Sequence, residues 1–519
     1  MPDIVTNSST SLKSSARLAR IDRGAVVLFA LFALVGTLAI IRPVWVLAGL
    51  GIAAGLGVCW LIVLGVRRSG LELWQILALI AVSGYLLLNY GFENLTVHVG
   101  GFPIIISYGL MYASLALAIF SHRRLIATGL QETPVKCMLI LIVLAVFHLV
   151  MDVPTYGIWA LRDSTMCLDG IFMFLGLAWA MKSSNVVFVT KWLLVVFILN
   201  LFYSFTQPWG EQLYAWSPVS GVFLKVPILG HFNGRGDILL AGALFCICVG
   251  SYVVKRPSWL MLVLAGLQFL GIAIAQTRRM YLAAVLVMLL LVVLGEAKKF
   301  AKLFVLVPFA IVVIYLVTTV GGVEITGRIG PVNLSFFKEH LRSLQTSDGT
   351  PGSAVEGRIT SVDEALEHFY AHPVFGEGFG EPLLNEVDMN QDQGAVGRVP
   401  HNSSISYLAR LGAIGFVVWI AFHLSLLNRF VYAFRQRHTA DKRFYALALW
   451  FFLFYVLFMI SSLVEGPFEF PSGAVPFFFL MGFALGLIRW HLSDKKSENA
   501  VVAAVSNAQT ATLRVSFQE

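Results

Sequence analysis

Cationic residues at the ends of apolar runs are the side chains of this sequence best suited to chemistry. Guanidinium groups stay charged and bind phosphate oxygens in pairs, so a group of arginines suits a diphosphate. An imidazole has a near-neutral pKa and is suited to accept a proton from a sugar hydroxyl. The candidate residues are Arg235, Arg278, Arg279, Arg358, Arg398 and His401, with Asn402 next to the histidine.

These residues also have a simpler interpretation as interfacial anchors. Arginines near the ends of membrane helices commonly extend to the headgroups, and a lone interfacial histidine is often only a polar anchor. Several cations on one face are harder to explain in this way. The topology of the chain therefore decides between the two interpretations.

The composition is that of a polytopic membrane protein. Of 519 residues, 58% are hydrophobic and 13% charged, and the mean hydropathy is +0.80, whereas soluble domains carry about 25% charged residues. The high hydrophobicity also excludes a disordered chain. Membrane topology explains the net charge of +8, so we expect no nucleic-acid partner. The five cysteines form no C-x-x-C pair, and we expect small buried hydrophobes rather than metal ligands.

About fourteen apolar runs are long enough to cross a bilayer, which takes about 20 residues. The runs lie near 24–41, 44–66, 71–90, 103–120, 137–152, 166–181, 187–206, 236–254, 258–276, 280–295, 303–320, 404–427, 444–464 and 473–490. The first follows a basic stretch and lacks a cleavage site, so we interpret it as a retained signal anchor. We therefore expect an all-α protein with transmembrane helices 1–11 in residues 24–320 and helices 12–14 in residues 404–490.

The distribution of Lys and Arg predicts the orientation. If the segment 1–23 is cytoplasmic, most of the 37 Lys and Arg residues fall in cytoplasmic loops and in the tail, as the positive-inside rule requires. Both termini are then cytoplasmic, and we expect the tail at 491–519 to be disordered. All the candidate residues then lie on the outer face, together with the long segment 321–403.

This long outer segment is predicted to hold two amphipathic helices. Apolar residues recur at helical spacing in two sets, which are Leu334, Phe337, Leu341 and Leu344, and Ile359, Val362, Leu366 and Phe369. A glycine-rich turn follows at His372–Gly380. The stretch 388–399 begins like a calcium loop, but its Gly is one position late and its twelfth residue is Val399. We therefore expect no metal site there.

Three motifs occur in order on the outer face. They are Arg278-Arg-Met-Tyr-Leu282, then Arg358 with the turn His372–Gly380, then His401-Asn402 with Gly412-Ala-Ile-Gly415 after nine further residues. Together they resemble the O-antigen ligase and polymerase superfamily, which includes bacterial O-oligosaccharyltransferases and carries Arg-x3-Leu and His-Asn-x9-Gly-x-x-Gly motifs. The resemblance covers about Phe232 to Gly415.

The resemblance implies a C-type membrane glycosyltransferase fold with a helical periplasmic loop domain, located in a bacterial inner membrane. It implies transfer of a glycan from an undecaprenyl-diphosphate carrier to a sugar acceptor, without cofactor or metal. The acceptor would be the lipid A core or a growing glycan, and membrane lipids would surround the protein.

The same resemblance assigns roles to individual residues. His401 matches the essential histidine of the superfamily, and Arg278 matches the arginine that holds the lipid diphosphate. Arg358 is a weaker match. Asn402 belongs to the histidine signature, and we expect it to bind substrate. We add Arg279, Arg235 and Arg398 as substrate-binding residues because of their charge and position.

The sequence leaves other functions open. A ligase and a repeat-unit polymerase differ only in their acceptor, and the histidine signature favours the ligase. A polysaccharide flippase or other transporter also often has an even number of helices, although transporters place charges deep in broken helices. Here Arg410 is the main ionisable residue inside a predicted crossing. A receptor or scaffold is a third possibility, but the sequence shows no cytoplasmic domain with which such a protein would signal.

Overall fold

The computed structural model describes residues 70–492, except 94, 100–101, 123–126, 218, 221–225, 230–235, 254–257, 323, 326, 329, 334, 336–337, 339–353 and 385–397. Several predictions lie outside the described residues. These are the first two crossings, most of the first amphipathic helix, most of the calcium-like stretch, Arg235 and almost all of the tail.

Helices form nearly all of the described chain. In chain order they are α1 (Leu73–Leu88), α2 (Tyr90–Glu93), α3 (Ile106–Ser121), α4 (Thr133–Tyr156), α5 (Ile158–Leu168), α6 (Met173–Ala180), α7 (Ser183–Phe205), α8 (Gly210–Trp216), α9 (Gly236–Cys248), α10 (Gly250–Val253), α11 (Ser258–Ala275), α12 (Arg278–Val293), α13 (Ala297–Tyr315), α14 (Ala354–Ala371), α15 (Ser403–Arg435), α16 (Lys442–Ser462) and α17 (Pro471–Leu487). Two short antiparallel hairpins pair β1 (Thr96–Val99) with β2 (Phe102–Ile105) and β3 (Val219–Ser220) with β4 (Val226–Pro227).

Among the described residues, six helices are long and apolar enough to cross a membrane, namely α4, α7, α13, α15, α16 and α17. Five shorter apolar helices, α1, α3, α9, α11 and α12, accompany them. The prediction of an all-α membrane protein is confirmed at this level, whereas the count of about fourteen crossings is not. The predicted crossing at 166–181 is in fact divided between the end of α5, a 3-10 turn at Asp169–Phe172, and α6.

The centre of the bundle is α17, whose apolar stretch is 100% buried, compared with 22% for α4 and 18% for α13. Two glycines allow α17 to approach α6 closely. A Cβ at Gly482 would lie 2.0 Å from the Met173 carbonyl oxygen, and one at Gly176 would lie 1.8 Å from that of Phe479. Small residues permit such backbone contact between membrane helices, so α17 forms the core and α4 and α13 form the lipid-facing periphery.

The bundle has two polar ends. At one end, called the site face below, α12, α15 and α17 begin and the loop Leu463–Phe470 joins α16 to α17. At the opposite face, Glu132 precedes α4 and its buried carboxylate pairs with Arg429 near the end of α15 and with Arg489 after α17, each at 2.7 Å. This opposite-face cluster holds the ends of three spanning helices together.

Candidate functional site

His401 lies on the site face, directly before α15. Its backbone has a φ of 50°, a left-handed conformation that a residue other than glycine rarely adopts. Asn402 is the N-cap of α15, and its side-chain oxygen accepts hydrogen bonds from the backbone N–H groups of Ser404 (3.1 Å) and Ile405 (3.2 Å). Asn402 therefore begins the helix that follows the histidine, and its expected contact with substrate stays a prediction.

Arg358 and His401 belong to two elements that pack together, α14 and the start of α15. The second predicted amphipathic helix is present as α14, and its Ala365 is buried against Ala409, with Ile405 alongside. Arg358 lies two turns before Ala365 and therefore on the same face of α14. Burial, and then the charge of Arg358, lower the pKa of His401. The imidazole is therefore neutral at neutral pH and able to accept a proton.

The paired arginines lie at the start of α12. Arg278 is its first residue, and its side chain is outside the described part of the chain. Arg279 forms an ion pair with Glu465 of the loop Leu463–Phe470. In the same loop, Glu469 accepts a hydrogen bond of 2.8 Å from the Ser403 hydroxyl at the start of α15. One loop thus contacts both the helix that carries Arg278 and the helix that follows His401.

A break in α15 receives the glycine-rich turn. Gly412 has φ 62° and ψ −165°, which interrupts the helix. The break leaves the carbonyls of Ala409 and Arg410 without partners in the helix. They accept hydrogen bonds from the backbone N–H groups of Glu377 (2.9 Å) and Gly378 (3.0 Å), respectively. On the other side of the break, two further hydrogen bonds run to the turn's carbonyls, with Ala413 N–H donating to Pro373 (2.9 Å) and Ile414 N–H donating to Val374 (3.3 Å).

This docking explains why both motifs are rich in glycine. A Cβ at Gly412 would lie 2.4 Å from the Val374 carbonyl oxygen, and a Cβ at Gly376 would lie 2.3 Å from the carbonyl carbon of Arg410. Backbone groups left free inside an apolar bundle carry a large penalty, and here each stretch of backbone supplies the partners that the other lacks. The His372–Gly380 turn and the Gly412 signature therefore form one structural unit.

A buried ionic network lies beneath this unit. Asp163 of α5 accepts a 2.7 Å hydrogen bond from Arg162 and pairs with Arg398 at 3.2 Å and with Arg410 at 2.9 Å. Its carboxylate also accepts from the backbone N–H of Gly380 at 3.2 Å. Arg410 additionally donates to the Gly378 carbonyl at 3.1 Å. The Asp163 carboxylate thus connects three parts of the chain: the turn through Gly380, the segment before His401 through Arg398, and α15 through Arg410.

Arg398 belongs to this network and not to an open surface. Its side chain is 0% exposed, it donates to the Gly380 carbonyl, and its guanidinium lies 4.5 Å from the centre of the Trp159 ring. This burial favours a structural role for Arg398 over the substrate contact that we expected from the sequence. Arg410 is likewise explained as a structural cation, and it is not the only ionisable residue buried in the bundle.

Sequence reasoning missed three residues of the site. Arg162, Asp163 and Glu469 are all buried, yet we gave them no role. A signal was present for the first two, because an adjacent Arg-Asp pair between apolar runs requires a partner when it is buried. Among the described residues, no group of three or more His, Cys, Asp or Glu side chains is arranged to hold a metal ion.

Comparison with known families identifies the region that carries the site. No curated protein matches the chain at a significant level. The family described as O-antigen ligase matches residues 260–420, a range that contains α12, Arg358, His401 and the Gly412 break. Over residues 260–420, the match confirms the resemblance to the O-antigen ligase and polymerase superfamily that the motifs indicated.

Proposed function

We propose that this protein transfers a glycan from an undecaprenyl-diphosphate carrier to an acceptor sugar hydroxyl during assembly of cell-surface polysaccharide. The site face is then periplasmic, and both termini lie on the cytoplasmic side of the inner membrane. The family match supports this class of glycan transfer. The observation that supports the proposal is the packing of α14, which carries Arg358, on the start of α15, which follows the half-buried His401.

The mechanism follows from the chemistry of these groups. The acceptor hydroxyl attacks the anomeric carbon of the donor while His401 takes up the hydroxyl proton. A new carbon–oxygen bond forms as the bond from the anomeric carbon to the phosphate oxygen breaks, so a single displacement inverts the anomeric centre. The diphosphate leaves with both bonding electrons. Arg278 and Arg358 stabilise the charge that develops on it, and this lowers the barrier more than it stabilises the bound substrate.

The test is transfer by His401→Ala and Arg278→Ala, with the purified full-length chain, a lipid-linked glycan donor and a sugar acceptor. We expect the histidine variant to lose activity by about 10²–10⁴-fold, the usual contribution of general base catalysis, while the protein stays folded. Arg278→Ala is expected to raise the KM for the donor and also lower kcat. Transfer at wild-type rates by both folded variants would refute the proposal.

The intermediate that accumulates in cells lacking the protein identifies the acceptor. We favour a ligase, for which full-length lipid-linked polymer accumulates. If the protein is a polymerase, cells lacking it accumulate single lipid-linked repeat units. If the protein is a flippase, the donor stays on the cytoplasmic side in cells lacking it, and the purified protein transfers no sugar. We further propose that no metal takes part, so transfer is expected to persist in the presence of EDTA.

A further inference from the structure

The loop Leu463–Phe470 contacts both halves of the candidate site with glutamates four residues apart. Glu465 is 42% exposed and pairs with Arg279 beside Arg278. Glu469 is 3% exposed and accepts the Ser403 hydroxyl two residues after His401. The proposed mechanism uses neither glutamate.

The loop is held firmly by its neighbours. Phe468 is fully buried, and its ring centre lies 4.8 Å from that of Trp419 in α15, 4.9 Å from that of Phe458 in α16 and 4.9 Å from that of Phe477 in α17. Glu469 N–H donates to the Gly466 carbonyl at 3.1 Å, and a Cβ at Gly466 would lie 2.3 Å from a Glu469 carboxylate oxygen. The turn therefore fixes the carboxyl group against Ser403 and leaves little room for adjustment.

The burial of Glu469 is unusual for a group that serves only to hold a loop. One carboxyl oxygen accepts a hydrogen bond from the Ser403 hydroxyl, and the Ser406 hydroxyl also lies near the carboxyl group. Removing a carboxyl group from water carries a penalty, and burial raises the pKa of Glu469. Such a costly arrangement at the start of α15 indicates that the position of Ser403 matters.

The position of Ser403 matters because of the backbone at His401. A left-handed conformation in a residue other than glycine persists only when its surroundings impose it. The Asn402 cap binds the N–H groups that follow, whereas the Ser403–Glu469 hydrogen bond ties the same stretch of chain to a separate element.

We propose that Glu469 is a positioning residue for His401 and that Glu465 is a positioning residue for the arginines at the start of α12. One loop then sets the separation between the proton acceptor and the groups that hold the donor phosphates. The inference rests on the proposed function. It predicts that loss of Glu469 affects the chemical step, whereas loss of Glu465 affects donor binding.

The experiment measures kcat and the donor KM for Glu469→Ala, Glu469→Gln, Ser403→Ala and Glu465→Gln, each in the full-length protein. We expect Glu469→Ala to lower kcat about tenfold or more with an unchanged donor KM, because small displacements of catalytic groups slow chemistry strongly. Glu469→Gln retains an oxygen that accepts from Ser403, so kcat is expected to remain within about threefold of wild type. Glu465→Gln is expected to raise the donor KM with little change in kcat.

If Ser403 and Glu469 act through one hydrogen bond, Ser403→Ala lowers kcat as much as Glu469→Ala does. The double variant then has no lower kcat than either single variant. Ser403→Ala also tests the inference should Glu469→Ala fail to fold. Glu132→Gln, which alters a buried carboxylate at the opposite face, serves as the control for a loss of stability without a change in kcat. A wild-type kcat in Ser403→Ala overturns the positioning role while leaving the proposed function intact. Normal transfer by His401→Ala overturns the proposed function itself.

Discussion

Substitution of Gly412 by alanine separates backbone strain from the docking of the glycine-rich turn. At φ 62° and ψ −165° a side chain is strained by about 1–3 kcal/mol. The new Cβ would also lie 2.4 Å from the Val374 carbonyl oxygen and 2.5 Å from the Gly376 nitrogen, so the turn must move away. Losing two of the four backbone hydrogen bonds across the break adds about 1–3 kcal/mol. The expected total destabilisation is about 2–6 kcal/mol.

Two other glycines provide matched controls. Gly157 has a φ of 57°, but a Cβ added there would meet nothing within 4 Å, so Gly157→Ala carries the strain without the collision. Gly109 lies in α3, also with nothing within 4 Å, and Gly109→Ala is expected to be neutral or stabilising by up to about 1 kcal/mol.

The assay combines the midpoint of thermal unfolding in detergent with the transfer rate per folded molecule. We expect Gly412→Ala to unfold at a lower temperature than Gly157→Ala and to lose at least about tenfold in rate, because α15 carries His401 at its start. Equal unfolding midpoints and equal rates in the two variants would show that the turn does not position the histidine.

Three further predictions concern charges and the cap. Asp163→Asn removes a carboxylate from fully buried arginine partners and is expected to cost about 3–5 kcal/mol. Glu132→Gln is expected to cost less, because its partners Arg429 and Arg489 are partly exposed. Only Asp163→Asn is expected to lower the rate per folded molecule, and equal rates in both would contradict this. Arg358→Gln removes a cation that lowers the pKa of His401; that pKa rises, and the acidic limb of the pH–rate profile moves to higher pH because the protonated imidazole accepts no proton. An unmoved limb argues against an interaction between the two groups. Asn402→Ala is expected to destabilise by about 1 kcal/mol and Asn402→Asp to retain the cap, which unfolding midpoints measure.

The sequence predicted the parts of the site that depend on local pattern. Apolar runs of sufficient length predicted the spanning helices, and helical spacing predicted α14. The motifs also nominated His401 as a catalytic residue and Arg358 as a weaker match, and both assignments stay predictions. These features are readable because each is encoded by residues that are close together along the chain.

The contacts that assemble the site were not readable in the same way. Asp163 and Arg398 are 235 residues apart, and Asp163 and Gly380 are 217 residues apart. A single sequence carries no record of which distant residues pair. The burial of Arg398 was not readable for this reason, because its partner Asp163 lies on the distant helix α5. Gly412 was recognised only as part of a sequence motif. Its structural role, which is to let the glycine-rich turn dock, depends on residues more than thirty positions earlier in the chain.

The opposite-face cluster of Glu132, Arg429 and Arg489 limits how the bundle can deform. The carboxylate of Glu132 is buried between its two partly exposed arginine partners, so the cluster joins the ends of α4, α15 and α17 at that side. If the protein binds the proposed lipid-linked donor, we expect space for it to open between the helices at the site face rather than at these joined ends. A carrier that opened alternately to both compartments would have to rupture this cluster in every cycle.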